Sequence, residues 1–553
     1  MGNMQLPEDF KEFSRLLNEH RLATYLPFFL VALIFLSMLS AVAWTSIQLN
    51  DGHWIYTLDD PYIHMAMAKN IALHGVFGAT PYEPSSSTSS PLWTLLLALA
   101  YRCLGIGELL PGILATIFAL ADLYVVHRFC RFWGLGALPR FVVGCCVVYF
   151  TPLVALVSTG MEHTMHIFFV LLLFETLFRN TESSEQSRWS LQSSVLLGGW
   201  ALLATATRYE TLFVTAPITL FLWFWGHKKQ ALTLASASFL PVLALGLFSW
   251  LNGSYFLPNS LMLKVRLHEQ IASQSWFDML GFSGIERLFQ NSHLLTLILF
   301  LGLATYLTFR NKVAVYPLGL SLASSMFLHL HLAEVGWFYR YEAYLIATVI
   351  PLAACLLAVS TTLESYQRLT RLSAWLKLAL GVCLLVCLSP LHARALGSLK
   401  AVPSASHHIY QQQYQMGQFV RDMYDEGARI AVNDLGAVAF FSEARILDLY
   451  GLGSIQVTRA MRQQVFNTDE IRRLLHLQGT EILMVYTYWF QGESRLPQEL
   501  IRVADWNVNP AYYWREVAFF ATSVEAANTL SQRLHEYEET LPKSVSVVYY
   551  GVE

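Results

Sequence analysis

The sequence predicts a polytopic α-helical membrane protein that ends in a soluble α/β domain. Three observations carry this. Of 553 residues 55% are hydrophobic and only 14% are charged, where a soluble chain carries about 25%. The mean hydropathy is +0.42, and apolar runs of membrane-spanning length recur as far as residue 392. Beyond it the composition turns charged, and short β-like runs alternate with helical stretches over 393–553, a length that can bury its own core.

The formal charge of -3 is near balance and argues neither for nor against a nucleic-acid partner; the lack of a basic cluster interleaved with aromatics excludes that class. Seven cysteines (Cys103, Cys130, Cys145, Cys146, Cys355, Cys383 and Cys387) lie in or beside apolar runs. Their number is odd and no spacing suits zinc, so they read as packing residues.

In chain order, residues 1–24 are a charged cytoplasmic segment, too long and too acidic to start a signal peptide. Residues 25–47 form the first span. Residues 48–90 are a polar external loop, helical around 63–73 and serine-rich before Pro91. Apolar segments follow at 91–104, 109–127, 139–157, 162–179, 192–207, 210–226, 231–250, 292–309, 314–332, 340–360 and 373–392. Basic residues mark the inner loops: Arg179 with Arg188, Lys228 and Lys229, Arg310 and Lys312, then Arg368, Arg371 and Lys377. The connections near 158–163, 208–210, 252–291 and 333–340, and the tail, then fall outside. Residues 91–104 are short for a span and fit a re-entrant or interfacial helix. The expectation is 11–13 spans over 25–392.

In the tail, strands are expected at Arg429–Val432, Ala437–Phe441, Arg445–Leu449, Glu481–Tyr486, Glu516–Phe520 and Val545–Tyr550, with helices around 408–425 and 466–477.

Several groups can carry chemistry. Asp59 and Asp60 sit where the chain has just left the bilayer. A carboxylate there can take a proton from an acceptor hydroxyl or hold a divalent cation. It can equally start a helix, since Pro61 follows. Glu162 and His163 lie at an external span boundary, where an ionisable group is either functional or an ordinary span end. Arg208, beside Tyr209 and Glu210, can grip a phosphate or pair with Glu210. Lys264, after Leu257-Pro258-Asn259, can neutralise a lipid phosphate or meet anionic headgroups. Arg340, between Tyr339 and Tyr341, fits an aromatic belt or a phosphate-lined cavity. Asp434-Leu435-Gly436 and Asp448–Leu452 read as turns at strand ends. The histidine pairs have no partner at metal-ligand spacing.

The order of these motifs resembles the GT-C superfamily of integral-membrane glycosyltransferases. It runs Leu58-Asp59-Asp60-Pro61-Tyr62-Ile63, Ser90-Pro91-Leu92-Trp93, Gly160-Met161-Glu162, Arg208-Tyr209-Glu210, Leu257-Pro258-Asn259 to Lys264, Asp434-Leu435-Gly436 and Asp448–Leu452. It is most similar to bacterial polyprenyl-phosphate-dependent arabinofuranosyltransferases. The resemblance implies a GT-C-like membrane module with its site in an outward-facing cavity, and a periplasmic domain at 393–553. Asp59 would be the catalytic base and Asp60 its support. Arg208, Lys264 and Arg340 would bind the donor phosphate. Glu162, His163, Tyr62, Trp93, Glu210 and Asp434 would line the cavity or meet the acceptor. His163 departs from the threonine of the arabinosyl-type motif, which opens the choice of donor or acceptor.

The implied reaction moves a sugar, a pentofuranose such as arabinofuranose, from polyprenyl phosphate to a glycan, lipid or protein acceptor outside the cytoplasm, in a bacterial inner membrane. No cofactor is demanded, a divalent cation at the acidic pair being the one candidate. No glycine-rich phosphate loop points to a nucleotide donor. A mannose-type hexosyltransferase, a flippase for lipid-linked sugars and an inactive assembly subunit are the alternatives. A flippase should show charged or broken helices near the midplane, or paired halves.

Overall fold

The computed structural model describes residues 21–181, 189–263, 282–311, 315–360, 373–508 and 516–551. Arg188, Lys312, Arg368 and Arg371, used above to orient the loops, lie outside these residues, as does most of the segment 1–24. Helices come first: α1 (Arg21–Leu49), α2 (Asp60–His74), α3 (Pro91–Leu104), α4 (Leu110–Phe132), α5 (Ala137–Phe150), α6 (Leu153–Ser158), α7 (His163–Thr181) and α8 (Leu191–Thr207). They continue as α9 (Leu212–Phe224), α10 (Lys228–Leu251), α11 (Phe282–Gln290), α12 (Ser292–Arg310), α13 (Tyr316–Leu332), α14 (Ala343–Ser360) and α15 (Ala374–Ile409). A π-helical turn, Tyr410–Tyr414, joins α15 to α16 (Gln415–Met423).

Most of each apolar segment expected from the sequence lies on helix, but the run 139–157 breaks at Thr151–Pro152 between α5 and α6, the run 340–360 becomes helical only at Ala343, and residue 314 lies outside the described residues. Six helical stretches are by themselves long and apolar enough to cross a membrane: Thr24–Leu49, α4, α10, α12, α14 and Ala374–Met423. Shorter apolar helices cover Pro91–Leu104, Ala137–Phe150, Leu191–Thr207 and Tyr209–Phe224. The chain is a multi-pass membrane protein. At about 1.5 Å per residue the 14 residues of α3 span roughly 21 Å, short of a hydrocarbon core of about 30 Å.

The chain folds as two compact units. One takes Met1–Val42, Gly112–Val242 and Gln274–Ala401. The other takes Ala43–Pro111, Leu243–Ser273 and Val402–Glu553. The polar loop after α1 thus belongs to the same unit as the tail.

The tail holds β1 (Arg429–Val432), α17 (Gly436–Phe441), β2 (Arg445–Asp448), α18 (Ile455–Arg462), α19 (Thr468–Gln478), β3 (Ile482–Val485), β4 (Ile501–Asn507), β5 (Glu516–Ala521), α20 (Val524–Glu538) and β6 (Ser546–Tyr549). Its six-stranded sheet has the order β2-β1-β3-β5-β4-β6. β2, β1 and β3 run parallel, and β5, β4 and β6 add on antiparallel. Successive side chains of a strand face opposite ways. Leu483 and Val485 therefore pack with Ile471 and Leu474 of α19 in one core, while on the other face Phe419 of α16 meets Trp506 and Phe519 edge-to-face and Tyr537 of α20 stacks on Trp506.

Two expectations fail here. Ala437–Phe441 is helix α17 and not a strand. Its apolar, aromatic run suits a strand, but the side chains of Asp59, just before α2, and Lys69, within it, bind its two ends, as described below. The strand β4 was not foreseen, because Arg502 and Asp505 interrupt its pattern. The two pair with each other at 2.7 Å, and Tyr550 donates to Asp505.

Candidate functional site

The second unit is built around α2. Pro61 in its first turn fixes a helical φ. Gly75 ends it in the left-handed conformation at φ 69°, its N–H returning to Asn70 and Ile71. All residues from Pro61 to Asn70 are buried, so α2 is a core helix and not an amphipathic surface one.

Asp59 precedes α2 but makes no side-chain cap to it. Its carboxylate turns to α17 instead. Oδ2 accepts the Gly436 N–H at 2.5 Å and Oδ1 the Ala437 N–H at 2.8 Å. Asp434 lies within hydrogen-bond reach of Asp59 and accepts from Gln413 Nε2 at 2.8 Å. Burial pushes the Asp59 carboxyl up to about 6, against the pull of the Ala437 N–H, the Asp434 hydrogen bond and the Gly436 N–H. Burial, then the charge of Asp59, pushes Asp434 well above the usual carboxylate range. Two acids this close hold one proton between them at neutral pH. The backbone donors favour the charge on Asp59, so Asp434 keeps the proton. Asp60, in the first turn of α2, is half-buried.

The contact is tight. A Cβ on Gly436 would fall 2.5 Å from Asp59 Oδ2 and 2.7 Å from its Cγ. Gly436→Ala should therefore destabilise the protein by about 1–3 kcal/mol, the usual cost of overpacking. A melting curve of the full chain in detergent would reveal it, and an unchanged midpoint would contradict the packing.

The other end of α17 is held by Lys69, three helical turns along α2. Its Nζ donates to Phe440 O at 2.7 Å and Ser442 O at 3.2 Å and pairs with Glu443 at 3.0 Å. A helix of six residues has most of its N–H and C=O groups unpaired. A carboxylate at its start and an ammonium at its end satisfy them and match its dipole. This is why Ala437–Phe441 is helical. Lys69→Met should cost about 2–4 kcal/mol, since it leaves carbonyls and Glu443 without their cation. Chemical denaturation read at Trp fluorescence measures that, and a loss below about 1 kcal/mol would mean water replaces the ammonium.

Other motifs that are distant in sequence meet in this unit. The Asn259 N–H donates to Ser86 O at 3.1 Å and its Nδ2 to Leu452 O at 3.1 Å. Asp448 accepts from Tyr450 N at 2.9 Å and Gly453 N at 2.7 Å, and burial pushes its carboxyl up to about 6. Tyr82 donates to Glu443 O at 2.7 Å and Ser406 to Ile55 O at 2.7 Å.

Tyr62 and Trp93, expected to line a cavity, do not. Both are at most 1% exposed. Tyr62 sits between Tyr56 and the Phe440 and Phe441 rings and receives the Tyr56 N–H at 3.4 Å. Their large rings are worth more as core than as lining.

In the first unit, Arg208 ends α8 in an extended conformation. Its Nη1 donates to Glu162 at 2.5 Å, and Nη2 and Nε bind Glu210 bidentately at 2.5 and 3.2 Å. Two carboxylates already balance this one guanidinium. The ion-pair reading of Arg208 is the one found, and the pairing leaves no net positive charge for a phosphate. His163 begins α7 next to Glu162 and is buried. The guanidinium of Arg340 lies 5.1 Å from the Tyr341 ring, and that of Arg208 5.6 Å from the same ring. Phe338 and Tyr339, just before Arg340, hold positive φ of 45° and 61°. Such strain persists only where the surroundings impose it. Here Arg394 does so, donating to Tyr339 O at 2.6 Å and to Glu342 at 2.7 Å, while Glu342 also accepts the Gly336 N–H at 2.9 Å. Lys264 lies outside the described residues.

Among the described residues no group of three or more His, Cys, Asp or Glu is placed to hold a metal ion. Asp59 spends both oxygens on backbone N–H groups. This donor set does not suit a divalent cation, and no chemical step is derived through one.

Sequence reasoning missed Gln413, Asn433 and the Glu342–Arg394 pair. Only Gln413 left a signal, the Tyr410-Gln411-Gln412-Gln413-Tyr414 run in which three amides stand together.

Residues 407–530 match a family described as a domain of unknown function (DUF8728). No curated protein matches the chain in sequence. Solved structures do match it in fold. ArnT from Cupriavidus metallidurans bound to undecaprenyl phosphate aligns with TM-score 0.50 and 12% identity, over 89% of this chain and 98% of its own. The Archaeoglobus fulgidus oligosaccharyltransferase in complex with Zn and sulfate aligns with TM-score 0.51 and 12% identity, over 91% and 77%. The same oligosaccharyltransferase tethered with an acceptor peptide gives 0.50 and 13%, over 93% and 75%. Both proteins are GT-C superfamily membrane glycosyltransferases, and the fold of this chain is the GT-C fold.

Proposed function

We propose that the protein is a polyprenyl-phosphate-dependent glycosyltransferase that moves a pentofuranose, such as arabinofuranose, to an acceptor outside the cytoplasm of a bacterium. The acid pair of Asp59 and Asp434 within a GT-C fold carries this reading. The undecaprenyl phosphate held by ArnT supports a lipid-linked donor, and the order of motifs supports the pentose.

Asp59 is the general base. Asp434 holds the shared proton, so Asp59 is ionised at neutral pH and its burial makes it a stronger base than an exposed carboxylate. The acceptor oxygen bonds to the anomeric carbon, the bond from that carbon to the lipid phosphate breaks, and the acceptor proton passes to Asp59. The phosphate gains charge as its bond breaks, so cations on it lower the barrier. We assign that part to Arg340 and Lys264. Arg208 is committed to Glu162 and Glu210, and its role is to fix Glu162 and the Tyr341 ring. We assign the active side and the tail to the periplasmic side of the inner membrane.

Purified protein incubated with a panel of polyprenyl-phosphate sugars should consume a pentofuranosyl donor, read by mass spectrometry. Consumption of a hexosyl donor would correct the sugar. Translocation of the lipid across proteoliposomes with no cleavage of any donor would replace the transferase with a flippase.

A further inference from the structure

The end of α7 opposite Glu162 carries a second set of charges that the reaction above does not use. Glu175, 3% exposed, accepts from Arg179 at 2.7 and 3.0 Å and from Arg128 of α4. The Arg179 guanidinium lies 4.6 Å from the Phe132 ring, and Phe178 meets Phe129 at 5.1 Å. The last turns of α4 and α7 therefore stand side by side. Two more arginines join them. Arg131 lies in the last turn of α4 and Arg140 in the first turn of α5. Arg140 Nη1 donates to Thr24 O of α1 at 3.3 Å and lies 3.5 Å from His127 Nε2. Arg131 stands within coulombic reach of both Arg140 and His127.

Here the charges do not balance. Glu175 answers two guanidiniums, while Arg131 and Arg140 pair with no carboxylate among the described residues. Arg131 is exposed, and the Tyr25 ring of α1 lies 5.8 Å from its guanidinium. Arg140 is half-buried and gives its Nε to Gly136 O at 3.3 Å. Guanidiniums held together without an anion repel one another. Three helices nevertheless hold them there, for Tyr25 and Phe28 of α1 pack on the His127 ring at 5.8 and 6.2 Å. A loop that follows only the inside bias for basic residues spreads its charges into water, as the exposed Lys228 and Lys229 do. The arginines at the start of α5 and the end of α4 converge instead, which suits an anion that comes from outside the chain.

We propose that Arg131 and Arg140 bind the phosphate of an anionic phospholipid of the inner leaflet, at the seam of α1 with α4 and α5. A guanidinium fork matches two phosphate oxygens, and basic pockets between membrane helices on the inner side are where anionic headgroups are held. The excess of basic residues makes this end the inner one. The surface beside the arginines favours a lipid over a free phosphate. Tyr124, two turns before Arg131 on α4, is 38% exposed and meets Phe28 at 5.7 Å, and Phe29 next to it is 58% exposed. An acyl chain lies along these rings and buries apolar surface against them, whereas a free phosphate gains nothing there. The bound lipid fastens the start of α1 to α4 and α5. None of this depends on the transferase reading.

The test uses the full chain in a neutral detergent, read by native mass spectrometry and by its melting midpoint. Phosphatidylglycerol, phosphatidylcholine and inorganic phosphate are titrated separately. Phosphatidylglycerol should stay bound and raise the midpoint, and the other two should do neither. Arg131→Gln should weaken its binding by about fivefold, and Arg131→Gln with Arg140→Gln by about tenfold or more. Arg131 is exposed, so its variant keeps the fold, and a melting curve without lipid checks both proteins. Lys228→Gln with Lys229→Gln removes two exposed charges from another loop and should leave the binding unchanged. The site is wrong if phosphatidylcholine binds as well as phosphatidylglycerol, or if folded Arg131→Gln binds as tightly as wild type. Stabilisation by inorganic phosphate alone would replace the lipid with a free anion, and an equal loss in the lysine variant would reduce the effect to diffuse charge.

Discussion

Asp59→Asn should lower transfer by about 10²–10⁴-fold, the usual contribution of a positioned general base, while Asp434→Asn should keep it within a few-fold. The contrast follows from the proton each residue holds. Asp434 is the protonated member, and an asparagine amide can donate to Asp59 as that proton does and still accept from Gln413. Asp59 is the ionised member, facing the Gly436 and Ala437 N–H groups. An asparagine there meets one of those donors with another donor, and it cannot take a proton. Both variants need a melting curve beside the assay. An active Asp59→Asn protein would remove Asp59 from catalysis. Its neighbour Asp60 would then be the residue to substitute.

The same pair sets a pH dependence of opposite sign for activity and stability. Activity should rise with pH through about 6, as Asp59 loses its proton. Both carboxyls are raised in the folded protein above the unfolded value of 3.8. Folding then binds protons, so this part of the stability is complete below about pH 4 and is lost as pH rises through about 6 and beyond. Asp434→Asn should flatten the loss on the alkaline side. Melting midpoints from pH 4 to 8, taken in both proteins, decide it.

Arg208→Met should have the largest effect on folding. It leaves the buried Glu162 and the half-buried Glu210 as two carboxylates with no guanidinium between them. Removing one partner of a buried ion pair typically costs about 3–5 kcal/mol, and that is a large part of the total stability of a domain. The variant should fail to accumulate in the membrane. Glu162→Gln with Glu210→Gln in the same chain should restore part of it, because no charge is then left unpaired. Normal levels of Arg208→Met would mean that the trio contributes little.

Much of this was readable in the residues. Most of each apolar run became helix because membrane helices are set by length and composition alone. The GT-C order of motifs was visible because acids and bases at span ends are rare enough to be noticed. What was not readable depends on partners far away in the chain. Ala437–Phe441 has the composition of a strand, and only Asp59 and Lys69, more than three hundred residues earlier, make it a helix. Arg208 looked equally suited to a phosphate and to Glu210, and only the placement of Glu162 decides between them. Tyr62 and Trp93 were misjudged because an aromatic residue beside a motif gives no sign of which way its ring turns.

The clasp between α2 and α17 also fixes when the protein can come to life. Asp59 and Gly436 are 377 residues apart. At the ordinary elongation rate of about 5–20 residues per second, the ribosome needs roughly 20–75 s to travel between them. For that time the nascent loop sits in place with Lys69 unmated and Asp59 without the donors that hold it. On the proposed mechanism, the base at Asp59 is therefore complete only after residues 436–443 have been made, whatever the membrane helices have already achieved.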